Sequence, residues 1–134
     1  VIYDITATAE RDIREILTAT LKMFGTHQLS VYTGIIERGI ALVAEDPERP
    51  GSIDRSSIAP NVRLFHLELA AGRRGAATHC LFYTRGKVSN GEVGVIILRV
   101  LHEGMEPRYR LLRTLSQYKR THDEETEAPD DELN

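Results

Sequence analysis

Among 134 residues the chain has a single cysteine, Cys80, and only three lysines in its 17 basic residues. One cysteine rules out an internal disulfide, so stability must come from an apolar core. No segment reaches the roughly 18 apolar residues that a membrane-spanning helix needs. The opening residues, "VIYDITATAERD", have neither a basic start nor the apolar block of a secretion signal. With the lone cysteine, these features lead to the expectation of a soluble protein in a reducing cytoplasm. A Gly-rich phosphate loop, a nucleophile elbow and a C-x-x-C pair are all missing, and no cofactor is expected. The length suits one domain built on one core.

Charge is divided along the chain. Residues 123–134 hold seven of the 20 acidic residues and no basic one. The other 122 residues hold 17 basic and 13 acidic groups, a net +4. This acidic segment is poor in apolar residues and contains Pro129, a composition that predicts disorder. The basic groups are mostly arginine, whose planar guanidinium suits bidentate contacts to carboxylate or phosphate. A solvated Arg-rich surface has the same composition.

The pattern of side chains predicts the elements. "VIYDI" reads as a strand over 1–5. Thr6 is placed to cap a helix over 7–24, where Ala9, Ile13, Ile16, Leu17, Thr20 and Phe24 recur at helical spacing. Gly25 suits a helix stop, and Thr26 can cap a second helix over 27–45 with a stripe of Leu29, Tyr32, Ile36, Gly39, Ile40 and Val43. So short a link implies an antiparallel helical hairpin, with Gly39 allowing close approach of the two helices. A long loop covers 45–61. Apolar segments follow at 62–69, 77–84 and 93–102, joined by short Gly-rich turns that favour an antiparallel meander. Glu106 and Pro107 open a last helix with a stripe of Leu111, Leu112, Leu115 and Tyr118.

The last strand, "VGVIILRVLH", is apolar on both faces. Strict alternation puts Val95, Ile97, Arg99 and Leu101 on one face and Ile96, Leu98, Val100 and His102 on the other. The hairpin can cover only one face. The second is left to the final helix or to another chain, and a large bare apolar face would mark an interaction site.

Several stretches carry a resemblance to a family. Thr6, Ala9, Asp12, Ile13 and Ile16 match an opening "S-x-x-A-x-x-D-L-x-x-I". "FGTHQLSVY" supplies a Gly before a second helix with Gln and Tyr. "APNVR" and "THCLFY" resemble "L-x-x-G-Y-R" and "S-H-x-x-F-Y". "ILRVLHEGMEPRYRL" is close to "I-I-R-V-L-H-x-x-M-D-x-x-x-x-L". Residues 1–112 thus resemble the ParE/RelE superfamily of toxins from type II toxin–antitoxin modules, nearest its ParE branch. The resemblance implies an α+β fold of order β-α-α-β-β-β(-α), with the helical hairpin on one face of an antiparallel-rich sheet. It also implies a ParD-like antitoxin of the ribbon–helix–helix type, which would fill a groove beside the last strand and the hairpin, and DNA gyrase as a target inhibited by binding. The RelE branch cleaves mRNA in the ribosome, and a non-toxic interaction module on the same fold is a third reading. The segments "HLELAAGRRGAATHC" and "RGKVSNGE" are longer than the family's turns, and Pro107 and Arg110 replace less constrained residues. Residues 113–122, a helical extension, and the acidic segment 123–134 lie past the usual ParE end.

An RNase needs an acid, a base and cations on one surface. Arg63, Arg85, Arg99, His102 and Tyr109 are the available groups, with Arg63, Arg99, His102 and Tyr109 the set for a RelE-like reaction. For a binding toxin, Arg63, Tyr83, Arg99, His102, Arg108 and Tyr109 are the candidates for antitoxin or target contact. Each has a plain structural alternative. His102 suits a hydrogen-bonded framework role, Arg99 a structural ion pair, and Tyr83 and Tyr109 packing at the sheet rim. His66, His79 and His102 fall on neighbouring strands, but lack the paired spacing of a metal site, so no metal is expected. Arg108, Arg110, Arg113, Lys119 and Arg120 could form a positive face that meets DNA. The acidic segment beside them offers an internal counter-charge, and direct nucleic-acid binding is not expected.

Overall fold

The computed structural model describes residues 2–119. The acidic segment 123–134 and residues 120–122, with Arg120, lie outside the described residues. The elements run β1 (Tyr3–Ile5), α1 (Ala7–Phe24), α2 (Thr26–Glu45), β2 (Ile53–Asp54), β3 (Arg63–His66), α3 (Glu68–Ala71), β4 (His79–Lys87) and β5 (Val93–His102). A last helix, α4, covers 108–119 among the described residues. The fold is α+β around a five-stranded mixed sheet of order β1-β5-β4-β3-β2. β1 runs parallel to β5, and the other pairs are antiparallel.

Local chemistry explains where α1 begins and ends. The Thr6 hydroxyl accepts from Ala9 N at 3.0 Å, satisfying one of the orphan amides of the first turn. The same hydroxyl donates to Leu98 O at 2.9 Å and so fastens the helix start to β5. Gly25 alone joins α1 to α2, with a φ of 90° that only glycine adopts at little cost. Gly39 does permit a close approach, but not between the two helices: a Cβ there would collide with the Leu67 side chain, just before α3.

Two further departures from the sequence pattern concern the strands. The segment expected as a strand over 62–69 leaves the sheet after His66 and turns into α3, which Gly72 closes at φ 71°. The loop over 45–61 contributes the two-residue strand β2, paired with β3.

β5 lies between β1 and β4, and its two faces feed two cores. On the hairpin side, Val95, Ile97 and Val100 pack with Ala9, Tyr32, Ile36, Ile40, Val43, Phe65 and Leu81. On the other side, Ile96, Leu98 and Leu101 pack with Ile58, Val62, Phe82, Val88 and Leu111. Val100 and Leu101 therefore sit on the faces opposite to those that strict alternation assigned. The cause is a bulge: Phe82 pairs with Arg99 and Tyr83 with Ile97, so Leu98 is an extra residue in β5.

The second face of β5 is not bare. Leu111 is fully buried against it, with Leu115 and Tyr118 of α4 beside it, and the segment around Ile58–Val62 covers the rest. Leu112, placed in the apolar stripe by its spacing, instead points outward and is 47% exposed. The expected docking flank beside the last strand is thus closed by the chain's own residues.

If α4 is part of the core, Leu111→Ala should destabilise the fold by about 2–5 kcal/mol, the usual range for emptying a fully buried leucine site. Urea unfolding measures this, and a loss below about 1 kcal/mol would show that the helix is dispensable.

Candidate functional site

Arg99 is engaged within the chain. Its Nε and Nη2 donate to the two oxygens of Asp12 at 2.7 and 2.8 Å, and Val100 N donates to Asp12 Oδ2 at 3.0 Å. Asp12 is buried in α1, and the pair spans 87 residues of sequence. A bidentate guanidinium–carboxylate pair with a third, backbone donor is a structural joint between α1 and β5. It settles the alternative for Arg99 in favour of the ion pair.

Arg63 belongs to a second network at the start of β3. Its Nε donates to Ser52 Oγ at 2.7 Å and its Nη2 to Ser52 O at 3.2 Å. Tyr83 Oη donates to Pro47 O at 2.6 Å and meets Ser52 Oγ at 2.5 Å. Its hydrogen is therefore committed to Pro47, and Ser52 donates to it. Tyr83 has no solvent exposure, and burial raises the pKa of its phenol. Tyr83 is thus a core residue that ties the loop after α2 to β4, not a rim contact. A polar cleft of about 440 Å³ lies beside this network, lined by Glu48, Asp54, Arg63 and Arg85 among others. Two acids and two arginines share its wall, so the cleft is not a concentrated positive site.

The histidines gather at the other end of the sheet. His79 Nδ1 lies 2.6 Å from Tyr32 Oη of α2. Thr78 N also donates to that oxygen, and while His79 Nδ1 carries no proton the phenol hydrogen goes to it. The His79 ring meets the His102 ring edge-on at 5.6 Å. His66 Nε2 bonds Glu103 Oε2 at 2.5 Å, from the opposite side of the sheet's end. Because the rings straddle the sheet they do not converge, and among the described residues no group of His, Cys, Asp and Glu is placed to hold a metal. Burial and the neighbouring His102 lower the His79 pKa, while Glu103 opposes them. Burial pushes the Cys80 thiol up to about 11, so it stays protonated and unreactive near neutrality.

The four residues of a RelE-like reaction do not meet. Arg63 pairs with Tyr83 and His102 with His79, four residues apart along β4, or about 13 Å at strand rise. Arg99 is consumed by Asp12, and Tyr109 stands 70% exposed on α4. Of the contact candidates, His102, Arg108 and Tyr109 are exposed, and Met105 and Leu112 flank Tyr109 as further exposed apolar groups. Along α4, Arg113 and Lys119 are exposed, whereas Arg110 Nη1 donates to Glu106 O.

The sequence pattern gave no hint of one further feature. A mostly apolar groove of about 340 Å³ runs between β1 and the hairpin, lined by Tyr3, Ile5, Ile13, Leu17, Ile36 and Ile40, with Thr33 and Glu37 also on its wall. β1 is an edge strand, so the groove lies against a strand with a free side. Tyr32, read from its spacing as an apolar stripe residue, was likewise missed as the partner of His79. Its phenol would have been suspected only with the fold in hand.

Two measurements test these roles. Removing one partner of a buried pair leaves a charge uncompensated, so Asp12→Ala should cost about 3–5 kcal/mol. In a double-mutant cycle with Arg99→Met, the two losses should be far from additive. For His79, the lowered pKa means that the unfolded chain binds the proton more readily than the folded one. Its contribution is therefore full above the unfolded value of 6.5 and is lost as pH falls below it toward the folded pKa. Urea midpoints should fall across that window, and His79→Gln should flatten the slope.

No protein-family model and no curated protein matches the chain, so its functional reading rests on this geometry and on the motifs that resemble a family.

Proposed function

We propose that the chain is a ParE-like toxin of a type II toxin–antitoxin module, acting on DNA gyrase by binding and neutralised by a ParD-like antitoxin. The observation that carries this reading is the Asp12–Arg99 pair. Asp12 belongs to the opening motif of the resemblance and Arg99 to the "R-V-L-H" motif, and the two bond to each other across 87 residues of sequence. Two stretches of the resemblance, far apart in sequence, thus do one physical job. The order β-α-α followed by antiparallel strands and a last helix, with the hairpin on one face and the first strand beside the last, supports the same reading, with the short β2 and α3 as additions to the expected order.

The separation of Arg63 from His102, and the engagement of Arg99, favour inhibition by binding over an RNase built from those residues. Because the second face of β5 is closed, the antitoxin's docking place is assigned instead to the groove between β1 and the hairpin. An amphipathic segment there would bury its apolar side against Tyr3, Ile13 and Leu17 and could add a strand to β1. The exposed Arg108, Tyr109 and Leu112 of α4 remain available to the target.

Purified protein added to gyrase should block supercoiling or trap cleaved DNA, and should leave ribosome-bound mRNA intact. Cleavage of ribosome-bound mRNA without any effect on gyrase would replace this reading with the RelE-like one. Binding to an antitoxin with neither activity would leave a non-toxic interaction module.

A further inference from the structure

Two histidines at the far end of the sheet use the same hydrogen bond. His66 Nδ1 accepts from Glu68 N, two residues on, at 3.1 Å. His102 Nδ1 accepts from Gly104 N, again two residues on, at 3.0 Å. A ring nitrogen that accepts carries no hydrogen, so both imidazoles are held as the neutral tautomer with the proton on Nε2. For His66, that Nε2–H faces Glu103 Oε2. Each ring thereby closes the first turn of the chain as it leaves the sheet: His66 leads into α3, and His102 into the turn toward α4.

We propose that this end of the sheet is an acid-sensitive latch, in which protonation of His66 and His102 at Nδ1 releases the amides of Glu68 and Gly104 and loosens α3 and the turn at 103–106. The chemistry leaves no alternative for these two bonds. A protonated Nδ1 is a donor, and a backbone N–H cannot accept from it. His79 differs, because Tyr32 Oη can turn from donor to acceptor and keep that contact.

The surrounding charges act in both directions. Glu103 and Glu68 lie on the side of the cations, and Glu103 has its own pKa lowered by His66, with further help from His102 and His79. Against protonation stand the mutual repulsion of His66, His79 and His102, and Arg55, which faces Cys80 with its Nε buried and unpartnered among the described residues. From α1, Asp12 also faces His79, with its charge held by Arg99. From α2 the facing group is the neutral Tyr32 phenol. Acid therefore adds positive charge to a cluster whose internal carboxylates are few, while it cuts two backbone tethers.

Nitrogen-15 NMR of the whole chain tests the latch between about pH 8 and 5, where imidazoles change charge. At the upper end, both rings should show the Nε2–H tautomer. On acidification, the amide signals of Glu68 and Gly104 should move with the titration of the ring each one faces. Their protection from exchange, corrected for intrinsic rates, should fall by up to about tenfold per pH unit while the protonated ring is still the minor form, and level off once it predominates. Asparagine makes the same bond to the amide two residues on but takes up no proton. His66→Asn should thus abolish the movement at Glu68 and leave that at Gly104, and His102→Asn should do the reverse. Amide signals unmoved through the ring titrations, or movement that persists in the matching asparagine variant, would overturn the proposal. Should either variant fail to fold, the native rings decide: an Nδ1–H tautomer at high pH is incompatible with the latch.

Discussion

The Asp12 carboxylate is the constraint on which the rest of this structure turns. It sits in α1, buried, and takes three donors from β5: two from Arg99 and one from Val100 N. A buried carboxylate is costly unless its lone pairs are filled, so α1 can dock in only one position along β5. That position coincides with the bulge at Leu98, where the strand gains a residue and its faces exchange. Thr6 adds a second fastening just above it, through Leu98 O. Helix position, strand register and the placing of Val100 in the hairpin core follow from this joint.

From it come the two cores and the surfaces that remain. With α1 and α2 on one face of β5, the opposite face has to be covered by later residues, and α4 with the 58–62 segment does so. Exposed apolar surface remains beside β1 at the sheet's edge, on the outer side of α4, at Met23 and Phe24 where α1 ends, and at Val93 where β5 begins.

Much of the fold was legible in the residues. Helical spacing, Thr6 and Gly25 located α1, and its bounds agree with the structure because capping chemistry is local. The three antiparallel strands were legible from alternation and from turn residues. What failed was the strand expected to continue to residue 69: "HLEL" alternates well enough, but Leu67 is drawn instead into the gap left by Gly39 on α2. Of the site residues, Arg99 makes the ion pair that was one of its two readings, yet the alternation expected along that strand breaks at the bulge. A bulge leaves no mark in composition, and one extra residue reverses every face beyond it.

By itself the sequence determined α1, α2, the α+β class and the absence of an internal disulfide within these 134 residues, since each depends on periodicity, caps and counts. Only the tertiary structure decided that Arg99 belongs to Asp12, that α4 closes the second face of β5, and that Arg63 and His102 stand apart. These are contacts between residues far apart in the chain. Their outcome depends on register and on competition for buried partners, quantities that no local pattern of side chains contains.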